Sequence, residues 1–309
     1  MTNMYPTEDE PAAGCFIREL VEGLRALGTR VEVLAFDGRR RKQAYAEALI
    51  QLRRTLRRRR FDLVHAHYGL TGALAVSQRK APVVVTFHGS DTCIPWQAGV
   101  SWLVARFATP VFVSRDGAQR LGCPNAAIIP AGVDLDLFKP RPMAEARKAL
   151  GWPSRGRYVL LPGARANPDK NVRLFDAVIT ETSRLVDDLT PVSLEGFSRE
   201  RVVDVMNAVD VTLMTSVFEG SPVSIKESLA CMTPVVSVPV GDVPQLLDGL
   251  PGCAIAPRDD AAALARAVVR ALEGGRHSAL RRRVEWVSSR RIAERTVALY
   301  ESVLTTASS

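Results

Sequence analysis

Two glutamates, Glu219 and Glu227, flank a short turn of small residues in the segment SVFEGSPVSIKESLACMTPVVSVPV, residues 216–240. Residues 209–216 are apolar and β-branched, which is typical of a buried strand, and residues 234–239 form a second run of this kind. The segment therefore predicts a strand, a turn, a helix and a second strand. Two carboxylates at such a turn could act as a general acid and base, or could accept hydrogen bonds from the hydroxyl groups of a ligand.

The turn itself has the composition of a phosphate-binding site. Residues 220–222, Gly-Ser-Pro, allow a tight turn, and Ser224 is predicted to cap the helix that follows. The free N–H groups and the positive dipole end of that helix favour an anion such as a phosphate. We place Glu227 in the first turn of the helix, where it could accept two hydrogen bonds from a ribose, and Glu219 at the strand end, facing another part of the ligand. The alternative is a carboxylate that only stabilises a helix N-terminus.

Two cations, Arg165 and Lys170, lie in the segment LPGARANPDKN, residues 161–171, which follows the first predicted strand of the second half. Both fall in a strand–helix turn on the same sheet edge as the glutamate turn. Two cations beside a helix N-terminus would neutralise a diphosphate, and above all the charge that grows on a departing one. The alternative is a pair of solvated loop cations, and the shared edge favours the functional interpretation.

Three histidines lie at or near the ends of predicted strands. His88 ends a buried strand beside Gly89, where its side chain can project into a cleft. His65 and His67 alternate along one strand and therefore point to the same face. They could ligate a metal, but the sequence offers no convincing third ligand, so we interpret them as cleft-lining or core residues and His88 as functional.

The elements that carry these residues alternate between short apolar runs and amphipathic helical stretches. This alternation predicts βαβ units and parallel sheets, an α/β protein with two Rossmann-like domains facing across a cleft and ligands at the C-terminal ends of the strands. Prolines near residues 138–152 mark a boundary, so the predicted domains are 1–140 and 141–309. The last helix is a candidate to cross back to the N-terminal domain. The predicted strands lie at 30–36, 61–67, 82–89, 109–114, 126–134, 209–216, 234–239 and 252–257. The predicted helices lie at 14–28, 41–59, 260–275 and 278–305, and residues 157–179 form a strand, a turn and a helix.

Composition indicates an ordinary globular protein. Hydrophobic residues make up 47% of the 309 residues and charged residues 24%, which argues against disorder. The sequence has no apolar run of the roughly 18 residues that a membrane span needs, and its N-terminus lacks the basic-then-apolar pattern of a secretory signal. Five scattered cysteines, none in a CxxC pair, fit a reducing compartment, so the sequence predicts a cytoplasmic protein.

The net charge of +8 comes largely from two arginine-rich segments, Arg39–Arg41 and Arg53–Arg60. Such segments could contact an anionic membrane, for instance at the inner membrane surface, or a phosphorylated acceptor; a solvated helix face is the simpler alternative. No aromatic residues are interleaved with these arginines, which argues against nucleic acid as a partner.

Several of these segments resemble one known family. The residues FEGSPVSIKESLACMTPVVSVPVGDVPQLL are similar to the nucleotide-sugar-binding segment of GT-B retaining glycosyltransferases of family 4, and GARANPDKN is similar to its Arg/Lys donor-phosphate loop. The N-terminal half and the interdomain segment match through TNMYPTEDEPAAGCFIRELVEGLRALG, FDLVHAHYG, TFHGSD and IIPAGVDLDLFKP. The resemblance runs along nearly the whole chain.

The resemblance implies roles for individual residues. Glu227 would bind the donor ribose, Glu219 would contact sugar hydroxyls, and Arg165 and Lys170 would hold the diphosphate. Backbone would cradle phosphate and sugar at Gly220, Ser221, Pro222, Val223 and Ser224. In the N-terminal half, the family's close-approach glycine corresponds to Gly14 and its active-site histidine to His88, and Asp91 lies in the same HGSD turn as His88. We thus assign catalytic roles to His88, Glu219, Arg165 and Lys170, and donor binding to Gly14, Asp91, residues 220–224 and Glu227.

The resemblance also implies a reaction. A sugar would pass from a nucleotide-diphosphate sugar to an acceptor by front-face transfer with retained configuration, without a metal or other cofactor, and the leaving diphosphate would take the acceptor proton. The acceptor could be a small molecule, a lipid-linked intermediate or a polysaccharide. The alternative is a degenerate GT-B domain that binds a nucleotide or a partner protein without catalysis.

Three features depart from the family pattern. The first central strand is mostly missing before residue 2, so a gap in the first sheet is expected. Residues 178–211 are short by about one βα unit, which predicts a trimmed second domain. Met232 stands where a glycine usually ends the helix, and a methionine in a left-handed cap would cost about 1 kcal/mol unless the helix ends differently. Such trimming leaves open a homo-oligomer or a partner that covers exposed sheet.

Overall fold

The computed structural model describes residues 1–7, 13–38 and 40–308. Two compact units are present: one holds Met1–Gly132 and the C-terminal helix that begins at Ser289, and the other holds Val133–Ser288. The division falls several residues before the position expected from the prolines near residue 140. Arg39, part of the predicted basic segment 39–41, lies outside the described residues.

The first unit is built on a parallel sheet with strand order β1-β2-β3-β4. Its strands are β1 (Val64–His67), β2 (Val83–Phe87), β3 (Thr109–Phe112) and β4 (Ala127–Ile128). The helices before the domain division are α1 (Cys15–Ala26), α2 (Ala44–Arg58), α3 (Gly69–Ala75), α4 (Ser90–Cys93), α5 (Pro95–Val104) and α6 (Arg115–Arg120). The strands predicted from residues 61 to 114 and the two helices predicted before them are therefore present, with shorter ends.

The second unit contains a five-stranded parallel sheet of order β6-β5-β7-β8-β9. The strands are β5 (Arg157–Leu161), β6 (Leu189–Ser193), β7 (Val211–Met214), β8 (Val235–Ser237) and β9 (Ala254–Ile255). The helices are α7 (Met143–Leu150), α8 (Val172–Ser183), α9 (Arg199–Ala208), α10 (Val223–Ala230), α11 (Val243–Leu247), α12 (Ala261–Gly274) and α13 (Ser278–Val284). The short stretch 178–211 thus supplies the edge strand β6 and the helix α9.

The single helix predicted over 278–305 is wrong. A 3₁₀ turn at Glu285–Val287 separates α13 from the last helix, α14 (Ser289–Ser308), which belongs to the first unit. The carbonyl of Val287 accepts the N–H of Val133 at 3.0 Å, so it is used by a neighbouring segment and not by a continuing helix. None of the helices in the described part of the chain combines the length and hydropathy needed to cross a membrane.

Helices cover both faces of the first sheet. On one face, Val85 and Phe87 of β2 pack in a cluster with Leu52 of α2, Ala75 of α3 and Val104 of α5. The other face is covered by α1 and α14, through a second cluster formed by Leu24, Val84, Val111, Tyr300 and Val303. Both faces are buried, which explains why the strands read as continuous apolar runs.

The gap expected in the first sheet is closed by the first two residues of the chain. Thr2 donates its N–H to Leu34 and accepts the N–H of Phe36, at 3.0 and 3.1 Å, and forms a parallel bridge with Ala35. On the other side, the carbonyl of Met1 accepts the N–H of His67 at 3.0 Å. Because so few residues lie opposite it, the strand predicted over 30–36 is reduced to one bridge.

The C-terminal end of α10 confirms one sequence-based expectation. Met232 has a φ of +61°, the left-handed conformation predicted for the position where the family usually has glycine. The N–H of Met232 donates to Leu229 and the N–H of Thr233 to Ser228, the hydrogen-bond pattern of a Schellman motif. The helix therefore ends as it would with glycine, at the cost of a strained methionine.

Candidate functional site

The predicted site residues form two clusters, one in each unit, and each is described separately. Both lie where parallel strands end at their carboxyl edge, the position at which α/β sheets bind ligands. The cluster of the second unit follows β5 and β7 and is charged. The cluster of the first unit follows β1 and β2 and is built from histidines.

The turn between β7 and α10 begins the charged cluster. Helix α10 starts at Val223, so Pro222 is its N-cap residue. The side chain of Pro222 forms no capping hydrogen bond. The predicted cap at Ser224 is therefore wrong: Ser224 is the second residue of the helix, and its carbonyl accepts a hydrogen bond from Ser228. Glu227 accordingly lies in the second turn of the helix and not in the first. Proline, which lacks an N–H, sets the helix start two residues earlier than the serine would.

Glu219 and Lys170 are brought together as an ion pair. Lys170 Nζ donates to Glu219 Oε1 at 2.7 Å, and the side chains are 14% and 20% exposed. Ser216 Oγ donates to the same carboxylate oxygen at 2.9 Å. A Cβ on Gly163 would lie 2.5 Å from Cε of Lys170, so the missing side chain of this glycine makes room for the lysine stem. The predicted convergence of the two strand-end turns is thus present.

Arg165 lies in the same turn as Lys170 but faces a different partner. Its Nη2 donates to both carboxylate oxygens of Asp176, at 2.8 and 2.7 Å, and its side chain is 43% exposed. Its backbone N–H donates to Glu195. The guanidinium is therefore held by α8 in this structure and is not bonded to the Glu219–Lys170 pair.

Glu227 is buried and paired with an arginine that the sequence did not point to. Arg199 Nη1 donates to Glu227 Oε1 at 2.5 Å, with 13% and 4% of the side chains exposed. Burial raises the pKa of Glu227, and the charge of Arg199 opposes this shift. The guanidinium of Arg199 also lies 4.5 Å above the ring of Phe138. Arg199 begins α9 and Glu227 lies in α10, with the strand β7 between the two helices. No local spacing in the sequence therefore links them.

A second buried ion pair stabilises the turn between β7 and α10. Lys226, with no exposed side-chain surface, lies 3.2 Å from Asp242 and also donates to Ser221. Ser221 Oγ in turn donates to Asp242 at 2.5 Å, and the N–H of Asp242 donates to the carbonyl of Gly220. Gly241 lies so close to this turn that a Cβ would be 2.3 Å from the Gly220 carbonyl oxygen. Lys226, Asp242 and Gly241 thus fix the turn, and sequence analysis missed all three.

The histidine cluster occupies the end of β1 and β2. His67 Nδ1 and His88 Nε2 are 3.0 Å apart, and the His65 and His67 rings stack at a centroid distance of 4.4 Å. Nδ1 of His65 lies 2.6 Å from the hydroxyl of Tyr300, and its Nε2 lies 2.8 Å from that of Thr86. Burial lowers the pKa of His65 and of His88 to about 3 each, and lowers that of His67 as well. The three rings are therefore neutral at pH 7.

A small cavity of the first unit opens beside these rings. Phe16 of α1 packs on His88 at a ring-centroid distance of 5.1 Å, and Tyr68 packs on it at 4.6 Å. The cavity is lined by these histidines together with Phe16, Leu20, Ile292, Thr296 and Leu299. Within the described residues, no three His, Cys, Asp or Glu side chains are grouped so that they could hold a metal ion.

Gly14 and Asp91 support the loops around this cluster. Gly14 has a φ of +67°, and a Cβ there would be 2.6 Å from the carbonyl oxygen of Met4, so only glycine fits at the start of α1. Asp91 is 1% exposed and accepts the backbone N–H groups of His88, Gly89 and Gly69. Burial raises its pKa to about 6, against the effect of these hydrogen bonds. The described bonds of Asp91 hold the loop that carries His88.

Two parallel-sheet units, each with polar residues at the carboxyl edge of its strands, are the architecture of GT-B glycosyltransferases. Over residues 13–137 the chain matches the sequence model of Glycosyltransferase Family 4, and over residues 169–274 that of Glycosyl transferases group 1. The chain belongs to this family of glycosyltransferases. The resemblance noted from the sequence motifs is confirmed.

Individual relatives share a little over a quarter of the residues. The chain is 27% identical to a teichuronic acid biosynthesis glycosyltransferase, TuaC, of Bacillus subtilis, with 68% of this chain and 61% of the relative covered. It is 28% identical to a D-inositol 3-phosphate glycosyltransferase of Mycolicibacterium smegmatis, with 64% of this chain and 57% of the relative covered. The matched region therefore spans less than two thirds of these relatives.

Solved structures share the fold at lower identity. A sucrose-phosphate synthase from Thermosynechococcus elongatus superposes with a TM-score of 0.74 at 20% identity, covering 94% of this chain and 93% of that one. A glycosyltransferase-fold protein of Anabaena, Alr3699/HepE in complex with UDP-glucose, superposes with a TM-score of 0.65 at 17% identity, covering 92% and 87%. These similarities confirm the predicted α/β fold of the GT-B class.

Proposed function

We propose that this chain transfers a sugar from a nucleotide-diphosphate sugar to a hydroxyl group of an acceptor, with retention of the anomeric configuration. The observation that carries the proposal is the pair of ion pairs around one turn, Glu219–Lys170 and Glu227–Arg199. A site for a nucleotide sugar needs carboxylates that accept hydrogen bonds from hydroxyl groups. It also needs cations nearby that donate hydrogen bonds to phosphate oxygens, and this turn offers both.

In the proposed donor complex, Glu227 accepts the ribose hydroxyls. Burial raises the pKa of this carboxylate, and Arg199 opposes that shift and fixes the orientation of the carboxylate through its hydrogen bond. Glu219 accepts hydrogen bonds from the sugar, and one of its oxygens is already used by Lys170 and Ser216. Lys170 has three N–H donors, so it can keep its bond to Glu219 and still donate to a phosphate oxygen.

The proposed transfer step follows from these charges. The bond between the anomeric carbon and the diphosphate oxygen breaks, and the acceptor oxygen forms a new bond to the same face of that carbon. The acceptor proton moves to the departing diphosphate, whose growing negative charge is stabilised by Lys170 and by the N–H groups that open α10. Arg165 would join this role by leaving Asp176. In this proposal the step needs no metal ion.

His88 has a different role in this proposal. Since burial holds its imidazole neutral, it can exchange hydrogen bonds with a sugar hydroxyl but cannot supply a positive charge. Its Nε2 lies 3.0 Å from Nδ1 of His67, so one of these two nitrogens donates a hydrogen bond to the other. In this proposal the histidine cluster contacts the sugar acceptor through uncharged groups, and the charged cluster of the second unit binds the nucleotide sugar.

The comparisons support the donor more than the acceptor. The Anabaena protein of the same fold was solved with UDP-glucose, which supports a nucleotide-diphosphate sugar as donor here. The two curated relatives are named for different products, teichuronic acid in one and a glycosylated inositol phosphate in the other. A small molecule, a lipid-linked intermediate and a polysaccharide therefore all stay open as acceptors.

Thermal shift with UDP, GDP and ADP tests the donor site. We expect at least one nucleoside diphosphate to raise the Tm of the wild type, and we expect this rise to be lost in Glu227→Ala and in Lys170→Ala. Arg199→Met should weaken the rise, because Glu227 would lose its hydrogen-bond partner and the cation that opposes the rise in its pKa. Arg201→Met, which removes a half-exposed arginine of the same helix, is the matched control and should respond like the wild type.

Activity requires a second measurement. Release of the nucleoside diphosphate from a panel of nucleotide sugars, with and without candidate acceptors, should follow the base that stabilises the protein. Equal stabilisation of wild type and Glu227→Ala would overturn the donor assignment. Stabilisation by a nucleotide without turnover of any nucleotide sugar would instead identify a nucleotide-binding domain without catalysis.

A further inference from the structure

The first unit exposes a short stripe of large apolar side chains on α5. Trp96, Leu103 and Phe107 are 62%, 52% and 69% exposed. The seven-residue spacing of Trp96 and Leu103 puts them on one side of the helix, and Phe107 lies in the turn that follows it. Trp102 beside them is 49% exposed, and the guanidinium of Arg106 lies 4.4 Å above its ring. Single exposed apolar residues are common, but four large ones within one helix and its end mark an interaction surface.

A row of arginines lies on a neighbouring helix of the same layer. On α2, Leu52 and Leu56 are buried in the core, and the arginines of the opposite side are exposed. Within the described residues, four of these arginines make neither an ion pair nor a hydrogen bond through their side chains: Arg53, Arg54, Arg57 and Arg58. Ile50, between them and the start of the helix, is 52% exposed.

The two features share one face of the first unit. Leu52 and Leu56 of α2, Ala75 of α3 and Val104 of α5 all pack in the cluster on the same side of the sheet. Helix α3 packs between the other two helices. The outer surfaces of α2 and α5 therefore both belong to the layer that covers this side of the sheet, with the arginine row and the apolar stripe on it.

The charge of this layer is mainly positive, and Glu47 in the first turn of α2 is paired with Arg41. Residues 48–107 contain nine lysines and arginines but only two acidic residues, Asp62 and Asp91. Asp91 is buried, so Asp62 is the one acidic side chain of this segment that reaches the surface. An apolar stripe beside an uncompensated basic row is complementary to a surface that is apolar inside and anionic outside.

We propose that the α2–α5 face docks on an anionic lipid membrane, with Trp96, Leu103 and Phe107 entering the headgroup region and the arginines of α2 facing lipid phosphates. A second copy of the chain is the less favoured occupant, because a symmetric contact through this face would bring arginine rows together. The proposal uses none of the residues assigned to the donor or to the histidine cluster, and it holds whether or not the proposed transfer occurs. If both are right, the acceptor would be a lipid-linked molecule.

Cosedimentation with vesicles tests the proposal without any nucleotide present. The wild type should bind vesicles of equal parts phosphatidylglycerol and phosphatidylcholine, and binding should weaken as salt is raised. Arg53→Gln/Arg57→Gln should lower the partition coefficient about 25-fold, since each arginine near an anionic surface contributes about a factor of five. Leu103→Ser/Phe107→Ser should lower it at least tenfold, an approximate figure for two partly inserted side chains.

Matched controls lie in the second unit. Arg266→Gln/Arg270→Gln removes two exposed arginines with the same spacing from α12, and Leu185→Ser removes an exposed leucine. Both should bind vesicles like the wild type. Tryptophan emission should shift to the blue on anionic vesicles, and Trp96→Phe/Trp102→Phe should abolish this shift while the protein still sediments with the vesicles.

Three outcomes would overturn the proposal. Equal loss in the control variants would mean that binding follows net charge alone. Loss in the arginine variant but none in Leu103→Ser/Phe107→Ser would mean that the apolar stripe does not enter the membrane. A dimer in analytical ultracentrifugation that Leu103→Ser/Phe107→Ser abolishes would show that a second copy covers the stripe.

Discussion

The two polar clusters occupy the same position in their sheets but hold opposite kinds of chemistry. In the second unit, the end of β5 and β7 holds three ion pairs with buried or half-buried members: Lys170–Glu219, Arg199–Glu227 and Lys226–Asp242. In the first unit, the end of β1 and β2 holds three stacked histidines that burial keeps neutral. One unit holds ion pairs at the carboxyl edge of its sheet, and in the other unit the imidazole rings at that edge carry no charge.

The difference in charge between the two clusters indicates which ligand groups each unit can bind. A diphosphate carries charge, so its site needs cations that are already desolvated and held in place. A sugar hydroxyl is neutral, and a neutral imidazole can donate to it or accept from it without a desolvated charge to stabilise. This contrast between a charged and a neutral cluster can be tested by removing a charge from the second unit or by protonating the histidines of the first.

The largest effect should come from Lys226→Met, which removes the cation that braces the donor turn. Asp242 would be left without its partner in the interior, and breaking a buried pair in this way destabilises by about 3–5 kcal/mol. We expect amide hydrogen exchange in α10 and in the turn 219–222 to rise accordingly, and the response to nucleotides to fall with it. Lys148→Met, which removes an exposed lysine of α7, is the matched control and should leave exchange unchanged.

The double variant Lys226→Met/Asp242→Leu separates the charge from the packing. Because both partners of the ion pair are then replaced by apolar side chains, most of the lost stability should return. Ser221 would still have lost its acceptor, so the nucleotide response should stay weak. A double variant as unstable as Lys226→Met would mean that the lysine acts through packing alone.

The next effect concerns the first unit and follows from acidification. The histidines of the cluster have lowered pKa values in the folded state, so between pH 6.5 and pH 5 only the unfolded chain takes up their protons, and stability falls as the pH falls. Asp91 acts in the opposite direction, because its pKa of about 6 lets the folded state take up a proton first. The three histidines and Asp91 alone should cost the first unit about 3 kcal/mol between pH 7 and pH 5.5, and the buried ammonium of Met1, whose pKa is lowered to about 5, adds to this loss.

Hydrogen exchange resolved by unit, corrected for the intrinsic rate, can measure this difference. Exchange in β1 and β2 should accelerate at pH 5.5 while exchange in β5 and β7 stays nearly constant. Glu227 in the second unit has a raised pKa, so protonation there favours the folded state. Equal acceleration in both units would contradict the contrast between a neutral and a charged cluster.

Much of this contrast could be predicted from the sequence, because its elements are local. The apolar runs of β2 and β7 and the Gly-Ser-Pro turn depend on neighbouring residues, and so does the approach of Lys170 to Glu219 at the ends of two adjacent strands. The sequence also raised a left-handed Met232 as one of two possible ends for α10, and this is the end that the structure has. The helix start at Val223 was missed by two residues, because Pro222 and not Ser224 is the N-cap residue.

The remaining part could not be predicted because it depends on side chains that meet across elements. Arg199 reaches Glu227 from a helix one strand earlier, and Asp242 reaches Lys226 from beyond the next strand. No spacing rule connects such residues before the sheet is formed. The only sequence signal for Lys226 was a lysine within an otherwise buried helix, beside the glutamate of interest.

A smaller effect should follow from Gly163→Ala, which tests the charged cluster without removing a charge. The new Cβ would lie 2.5 Å from Cε of Lys170, so the lysine stem must move away from Glu219. The stem is flexible and half-buried, so we expect stability to change by less than about 1 kcal/mol. The Kd for the stabilising nucleoside diphosphate should rise about tenfold, because the ammonium would be misplaced. Calorimetric titration can measure this rise, and Gly99→Ala, where a Cβ meets open space, is the control.

The smallest effect is expected at Met232, the strained end of the helix that carries Glu227. Glycine at this position would relieve a left-handed conformation that costs about 1–2 kcal/mol, and it would lose roughly half of this through its greater freedom in the unfolded chain. Met232→Gly should therefore raise the Tm by about 2 °C in a thermal melt. Met232→Ala keeps the strain and loses the side chain, so it should melt below Met232→Gly and no higher than the wild type. Neither variant should alter nucleotide affinity, because Glu227 is positioned by Arg199 and not by the helix end. A tighter-binding Met232→Gly would show instead that this end of the helix limits the charged cluster.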